Sequence, residues 1–234
     1  MPSELIALAT AGMLGLLHAF EIDHMLAVTT FVSRRPTLAD AVQFGLRWGV
    51  GHSIAVLAAG SLLIGTGVRW PERYDAVGEA VVGLMLIGLG IWALASARKL
   101  HLHAPEEHGG HSHLHIHGNG ERHGHQHGGG FPAHRPHSHG GVTLVGLLHG
   151  LAGTTAVVAL LPVTMMHRAA MGISYLVMFG VGVTLGMMAF AIVAASAVRR
   201  ATRQSLSMGR RIVWAVGVCA ILVGCWWEIT AVAG

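Results

Sequence analysis

Apolar residues fall along the chain in six long runs, at about 5 to 32, 38 to 66, 76 to 97, 142 to 165, 170 to 198 and 211 to 232, separated by polar or charged segments. A helix needs roughly 20 residues to cross a hydrocarbon core. Each run meets that length, so the pattern predicts an all-α integral membrane protein of six transmembrane helices. Between the third and fourth runs, Arg98 to Gly141 has no hydrophobic periodicity and is rich in Gly and His, which predicts a disordered loop. The chain therefore divides into residues 1–97, a His-rich loop at 98–141, and residues 142–234.

The two apolar parts resemble each other. Gly15-Leu16-Leu17-His18-Ala19 recurs 131 residues later as Gly146-Leu147-Leu148-His149-Gly150, and Trp48-Gly49-Val50-Gly51-His52-Ser53 meets Phe179-Gly180-Val181-Gly182-Val183-Thr184 at the same offset. After a three-residue shift, Val82-Gly83 faces Val216-Gly217, and Gly90-Ile91-Trp92 faces Gly224-Cys225-Trp226. Three helices per unit is an odd number, so the second unit would cross the membrane in the opposite sense, as a 3+3 inverted repeat of the kind secondary transporters use.

Composition agrees with this reading. Hydrophobic residues are 53% of the chain and charged residues 11%, and the charges cluster between the apolar runs. The start, Met1-Pro2-Ser3-Glu4, lacks the positive n-region of a signal peptide, so the first run is expected to be retained. The basic balance is a statement about topology and not about nucleic acid. Twelve of the 15 Lys and Arg residues flank one face, that of the first, third and fifth loops, against Arg69, Arg73 and Arg168 on the other. The positive-inside rule puts the first face in the cytoplasm of a bacterial inner membrane, with the His-rich loop cytosolic and the termini outside.

The first run also carries the chemistry. His18, Glu21, Asp23 and His24 lie within seven residues of a membrane segment, where each charged group at the bilayer centre costs roughly 2.5 to 3.5 kcal/mol on insertion scales. A bound cation would offset that cost. On an ideal helix His18, Glu21 and His24 share one face, whereas Asp23 points away from it. Asp23 must then orient a ligand on another helix, or join the site through local unwinding. His52 and Ser53 follow two glycines in the second helix, and His149 is the repeat equivalent of His18. Together they form a nitrogen and oxygen set suited to borderline divalent ions such as nickel, cobalt and zinc. The loop holds 13 of the 18 histidines, a composition that reads as metal binding.

At these residues the chain resembles the nickel/cobalt transporter family. The family's hallmark, a His, four residues and then Asp-His in a membrane helix, matches His18, Asp23 and His24, and its Gly-His-Ser tripeptide matches Gly51-His52-Ser53. The resemblance implies nickel or cobalt permeation, with His18, Asp23, His24 and His52 as motif residues. The well-known uptake members have eight helices and an acid-containing second motif. This chain has Gly150-Leu151-Ala152-Gly153-Thr154-Thr155 there. A six-helix form with a His-rich loop is more similar to the efflux branch and to permeases associated with urease or hydrogenase maturation. The expected partners are the lipid bilayer, divalent metal ions and a cytosolic metallochaperone, with no nucleic acid. No cofactor and no enzymatic activity are expected, nickel or cobalt being cargo.

Two other readings compete. A zinc exporter also fits six spans and a His-rich cytosolic loop, but its ligands would come from the second and fifth helices, and the fifth here has neither His nor acid. A thiol-based electron carrier would place one cysteine in each repeat, whereas Cys219 and Cys225 share the sixth run. Lys99 is the single lysine and no Gly-Lys-Ser/Thr phosphate loop exists, so ATP hydrolysis through that motif is excluded.

Overall fold

The computed structural model describes residues 2–33, 37–67, 73–97, 100–102, 114–116, 139–151, 159–160, 162–163, 165–166 and 168–233. Seven helices cover most of them: α1 (Pro2–His18), α2 (Ile22–Val32), α3 (Leu38–Thr66), α4 (Arg73–Ala97), α5 (His139–Leu151), α6 (Ala169–Gln204) and α7 (Leu206–Ala233). Four single helices, Leu38–Thr66, Ala76–Ala97, Ala169–Gln204 and Ser207–Val232, are long and apolar enough to cross a membrane. The chain is a multi-pass helical membrane protein.

The first expected span is corrected. It is a pair of helices, α1 and α2, bent by 58° across Ala19-Phe20-Glu21, and counts as a fifth span only if the pair is taken as one. No Pro or Gly marks the break. Phe20 N–H donates to Leu17 at 3.0 Å and Glu21 N–H to His18 at 3.1 Å, tight three-residue bonds that close α1. The backbone of Glu21 is extended, and α2 restarts with Met25 N–H on its carbonyl at 2.9 Å.

The other boundaries follow local chemistry. Thr37 caps α3, its hydroxyl accepting from Asp40 N–H at 3.1 Å. Gly67, at φ 66°, ends α3 in the left-handed conformation that glycine adopts without a Cβ clash. The helix expected over 170–198 runs on to Gln204, taking Arg199, Arg200 and Arg203 into its last turns. Of the fourth expected span, the 13 residues of α5 are helical as far as Leu151. Gly153-Thr154-Thr155 lie outside the described residues. So does most of the His-rich loop, although two three-residue strands within it, β1 (Leu100–Leu102) and β2 (Leu114–Ile116), pair antiparallel with His101 opposite His115.

The helices pack mainly across the middle of the sequence: α3 and α1 against α6, α3 against α5, and α4 against α7. Glycines make this possible, because small residues let membrane helices approach to backbone contact. A Cβ on Gly15 would collide with the carbonyl of Phe179, and one on Gly146 with that of Trp48. Gly51 abuts the Thr143 carbonyl, and Gly182 the Gly12 carbonyl. Gly49 meets Thr184, and Gly180 meets Ser53. Each of these contacts thus occurs twice, with both members moved by 131 residues. On the far side, Gly83 meets Gly224 and Gly90 meets Gly217. Large apolar side chains such as Leu62, Leu84, Leu185, Leu222 and Ile229 are exposed on the outer faces and provide the lipid-facing surface.

Candidate metal centre

The break between α1 and α2 turns a linear motif into a three-dimensional site. His18 closes α1 and Asp23 lies in the first turn of α2. The carbonyl end of one half-helix, which favours a cation, therefore sits beside His18, and the N–H end of the other, which favours an anion, beside Asp23. Half-helix ends at membrane depth are a recurring ion-binding device.

Five of the seven candidate residues come together. His18, Asp23, His24, His52 and His149 are all at most 5% exposed. His18 Nε2 lies 3.2 Å from His52 Nε2. His149 Nε2 lies 2.8 Å from Asp23 Oδ2 and 3.2 Å from His24 Nδ1, which is itself 3.1 Å from Asp23 Oδ1. The donors form two groups of three that share His24: His18, His24 and His52, and Asp23, His24 and His149. Within each group the donor atoms are all within 4.8 Å of one another. Asp23, which an unbroken helix would have turned away, both joins the cluster and holds a histidine from another helix.

The remaining two are placed differently. Glu21 is at the rim, its side chain 34% exposed, with Oε1 at 3.1 Å from His18 Nδ1. Ser53 is on the neighbouring side of α3, away from the histidines. Its hydroxyl donates to the Gly49 carbonyl at 2.6 Å, lies 3.0 Å from the Gly180 carbonyl, and sits 3.4 Å from the hydroxyl of Thr184, its counterpart 131 residues on. It ties α3 to α6. Ser53→Ala is therefore expected to weaken that helix pair by about 0.6 kcal/mol and to leave metal affinity unchanged, which denaturant unfolding and cobalt titration of one preparation would separate. A matching loss of affinity would put Ser53 in the donor set.

Two aromatic residues that the motifs did not single out complete the surroundings. Trp48 packs against His149 at a ring separation of 5.5 Å and a tilt of 56°, and Phe179 against His18 at 5.6 Å and 35°. Trp48 and Phe179 are again 131 residues apart, as are the two histidines they cover, so the internal alignment carried the signal. Phe31 and Phe44 extend the apolar cover beyond Trp48, with rings 5.5 Å apart for Phe44 and Trp48 and 4.9 Å for Phe31 and Phe44. Cys219 and Cys225 are both exposed on α7 and contribute nothing to the cluster.

A broken helix in a multi-pass membrane protein is thus joined to a buried imidazole and carboxylate cluster that could hold a divalent transition metal. Comparison with known proteins narrows the class. The chain is 32% identical over 193 residues to the urease accessory protein UreH of a Bacillus species, strain TB-90, a match covering 80% of this chain and 75% of that one. It is 24% identical over 197 residues to a Methanocaldococcus jannaschii protein named as a nickel/cobalt efflux system, covering 82% and 77%. The chain belongs to the nickel/cobalt transporter family. No family model and no solved structure matches it.

Proposed function

We propose that the chain carries Ni2+ or Co2+ across a bacterial inner membrane through the cluster of His18, Asp23, His24, His52 and His149, with Glu21 at its mouth. The observation that carries this reading is the burial of five nitrogen and oxygen donors at a helix break, with pairs at 2.8 to 3.2 Å. Buried titratable groups in such numbers are costly in a membrane unless they pair or bind an ion. Imidazole with carboxylate is the donor chemistry of borderline divalent ions. The likeness to a nickel/cobalt efflux system favours nickel and cobalt over zinc.

The paired glycine contacts support a 3+3 inverted repeat. In that arrangement alternating access is a rocking of one half against the other about the shared site. Trp48 with Phe31 and Phe44 covers the site from one side and Phe179 from the other. Inward movement of a divalent ion gains roughly 4.6 kcal/mol per 100 mV, twice the single-charge figure, so uptake runs on the membrane potential alone and export needs an antiported ion. The exposed positions of Cys219 and Cys225 count against the thiol carrier.

Metal accumulation in cells expressing the chain, measured for nickel, cobalt and zinc in parallel, tests the reading. A change in cellular nickel or cobalt that exceeds the change in zinc supports it, and a change confined to zinc overturns it. The topology has its own test. A cysteine introduced at Arg122 is expected to resist an impermeant thiol reagent added to intact cells and to react after permeabilisation. Labelling from outside would reverse the orientation.

A further inference from the structure

We propose that the cluster is two adjoining cation positions that share His24 and are filled one at a time, so that an ion crosses the site by being passed from one to the other. This rests on the metal-transport reading above and concerns how the site is divided.

The distances divide it. Metal–nitrogen bonds of ~2.0–2.1 Å place two ligands of a tetrahedral ion ~3.3 Å apart. Two nitrogen pairs have nearly that separation: His18 Nε2 and His52 Nε2 at 3.2 Å, and His24 Nδ1 and His149 Nε2 at 3.2 Å. They belong to different groups of three, the first completed by His24 and the second by Asp23. Each group alone supplies the three protein ligands of an open site, which keeps further positions for water or an incoming ligand.

His24 is the joint. Its Nδ1 faces Asp23 and His149, while its Nε2 is buried and has no hydrogen-bond partner among the described residues. The ring lies 4.6 Å from that of His18 and 5.2 Å from that of His52, so Nε2 is the nitrogen left for the first position. A neutral imidazole has one nitrogen lone pair, the other nitrogen carrying the proton. His24 therefore completes one position at a time. On hand-off, the bond at one His24 nitrogen breaks and the bond at the other forms. The proton released from the nitrogen that takes the ion is matched by one taken up at the nitrogen that loses it, exchanged with water that enters with the ion, so the imidazole is neutral before and after.

The two positions differ in charge. The second holds the buried carboxylate of Asp23, and the first has only imidazoles, with Glu21 on the outer nitrogen of His18 at 3.1 Å. Each lies under an aromatic ring from a different helix, Phe179 on His18 and Trp48 on His149. The position with Asp23 is the tighter, and the all-imidazole position is the transient one.

The test is Co2+ binding by the full-length protein in nanodiscs, followed by equilibrium dialysis and by visible absorption, which reports donor set and geometry. The loop histidines bind Co2+ as well, so the cluster is counted against His24→Asn, which loses the shared ligand and keeps the loop. Wild type is expected to hold one Co2+ per chain more than His24→Asn at saturation. His52→Asn and His149→Asn are each expected to keep that extra Co2+, with different difference spectra, because each spares the other position. His149→Asn should weaken its affinity at least 10-fold more than His52→Asn. All three variants should lose cobalt flux in vesicles. Two extra Co2+ in wild type, identical difference spectra in the two variants, or loss of the extra Co2+ from His52→Asn would overturn the hand-off. No extra Co2+ in wild type would instead count against the metal-transport reading itself. If His24→Asn fails to fold, the double variant His52→Asn, His149→Asn, which loses a ligand from each position, serves as the same baseline.

Discussion

Replacing His18 and His24 together by alanine is expected to lower nickel and cobalt flux by at least about 100-fold, at the upper end of what losing even an outer-shell partner costs a metal site. The two donor groups explain the size of the effect. His24 belongs to both and His18 to one. Asp23, His52 and His149 remain, and among the described residues they form no group of three within bonding reach of one ion. Both side chains end at the helix break and not at a helix–helix contact through glycine, so the variant is expected to insert. Initial rates of cobalt entry into vesicles, normalised to inserted protein, measure it. Wild-type flux from the inserted double variant would remove these histidines from the pathway.

Alanine at Gly182 or Gly51 is expected to destabilise the fold by about 1 to 3 kcal/mol, the usual cost of forcing extra volume into a packed contact. The new methyl group would meet the Gly12 carbonyl in one case and the Thr143 carbonyl in the other, and backbone atoms do not swing aside as a side-chain end does. Gly65 and Gly88 provide the contrast, since nothing lies within 4 Å of a Cβ at either. Alanine there is expected to be neutral, or stabilising by up to about 1 kcal/mol through helix propensity. Unfolding of the four variants in mixed micelles would rank them. Equal tolerance at all four positions would mean that α1 and α6, and α3 and α5, do not approach as closely as described.

Four of the six expected spans were legible because lipid imposes a long apolar run on every crossing helix, and the buried cluster was legible because His and carboxylate groups are rare enough in such runs to stand out. His18, Asp23 and His24 were legible from one motif, His52 from a second, and His149 from its offset to His18. The break at Ala19-Phe20-Glu21 was legible only as a condition on Asp23, since three helix-compatible residues give no local stop signal. Ser53 was misgrouped with His52 because adjacency in sequence is not adjacency in space: one step along a helix turns the side chain by 100°, and here it faces α6. The shared role of His24 depends on which way each ring nitrogen points, and no spacing encodes that.

The cross-chain packing has a consequence for how the protein is made. The contact surfaces of α1, α3 and α4 are formed against α5, α6 and α7, and hardly at all against one another. When α4 leaves the ribosome, the glycine-lined faces of α1, α3 and α4 that will pack on α5, α6 and α7 are therefore bare in the lipid. At roughly 5 to 20 residues per second, the segment from Ala97 to Gly141 alone takes about 2 to 9 s to synthesise. For that interval the newborn half depends on the insertion machinery or on passing lipids to keep its grooves from closing on the wrong helix. The length of the polar segment is thus a waiting time in biogenesis, set before any ion is bound.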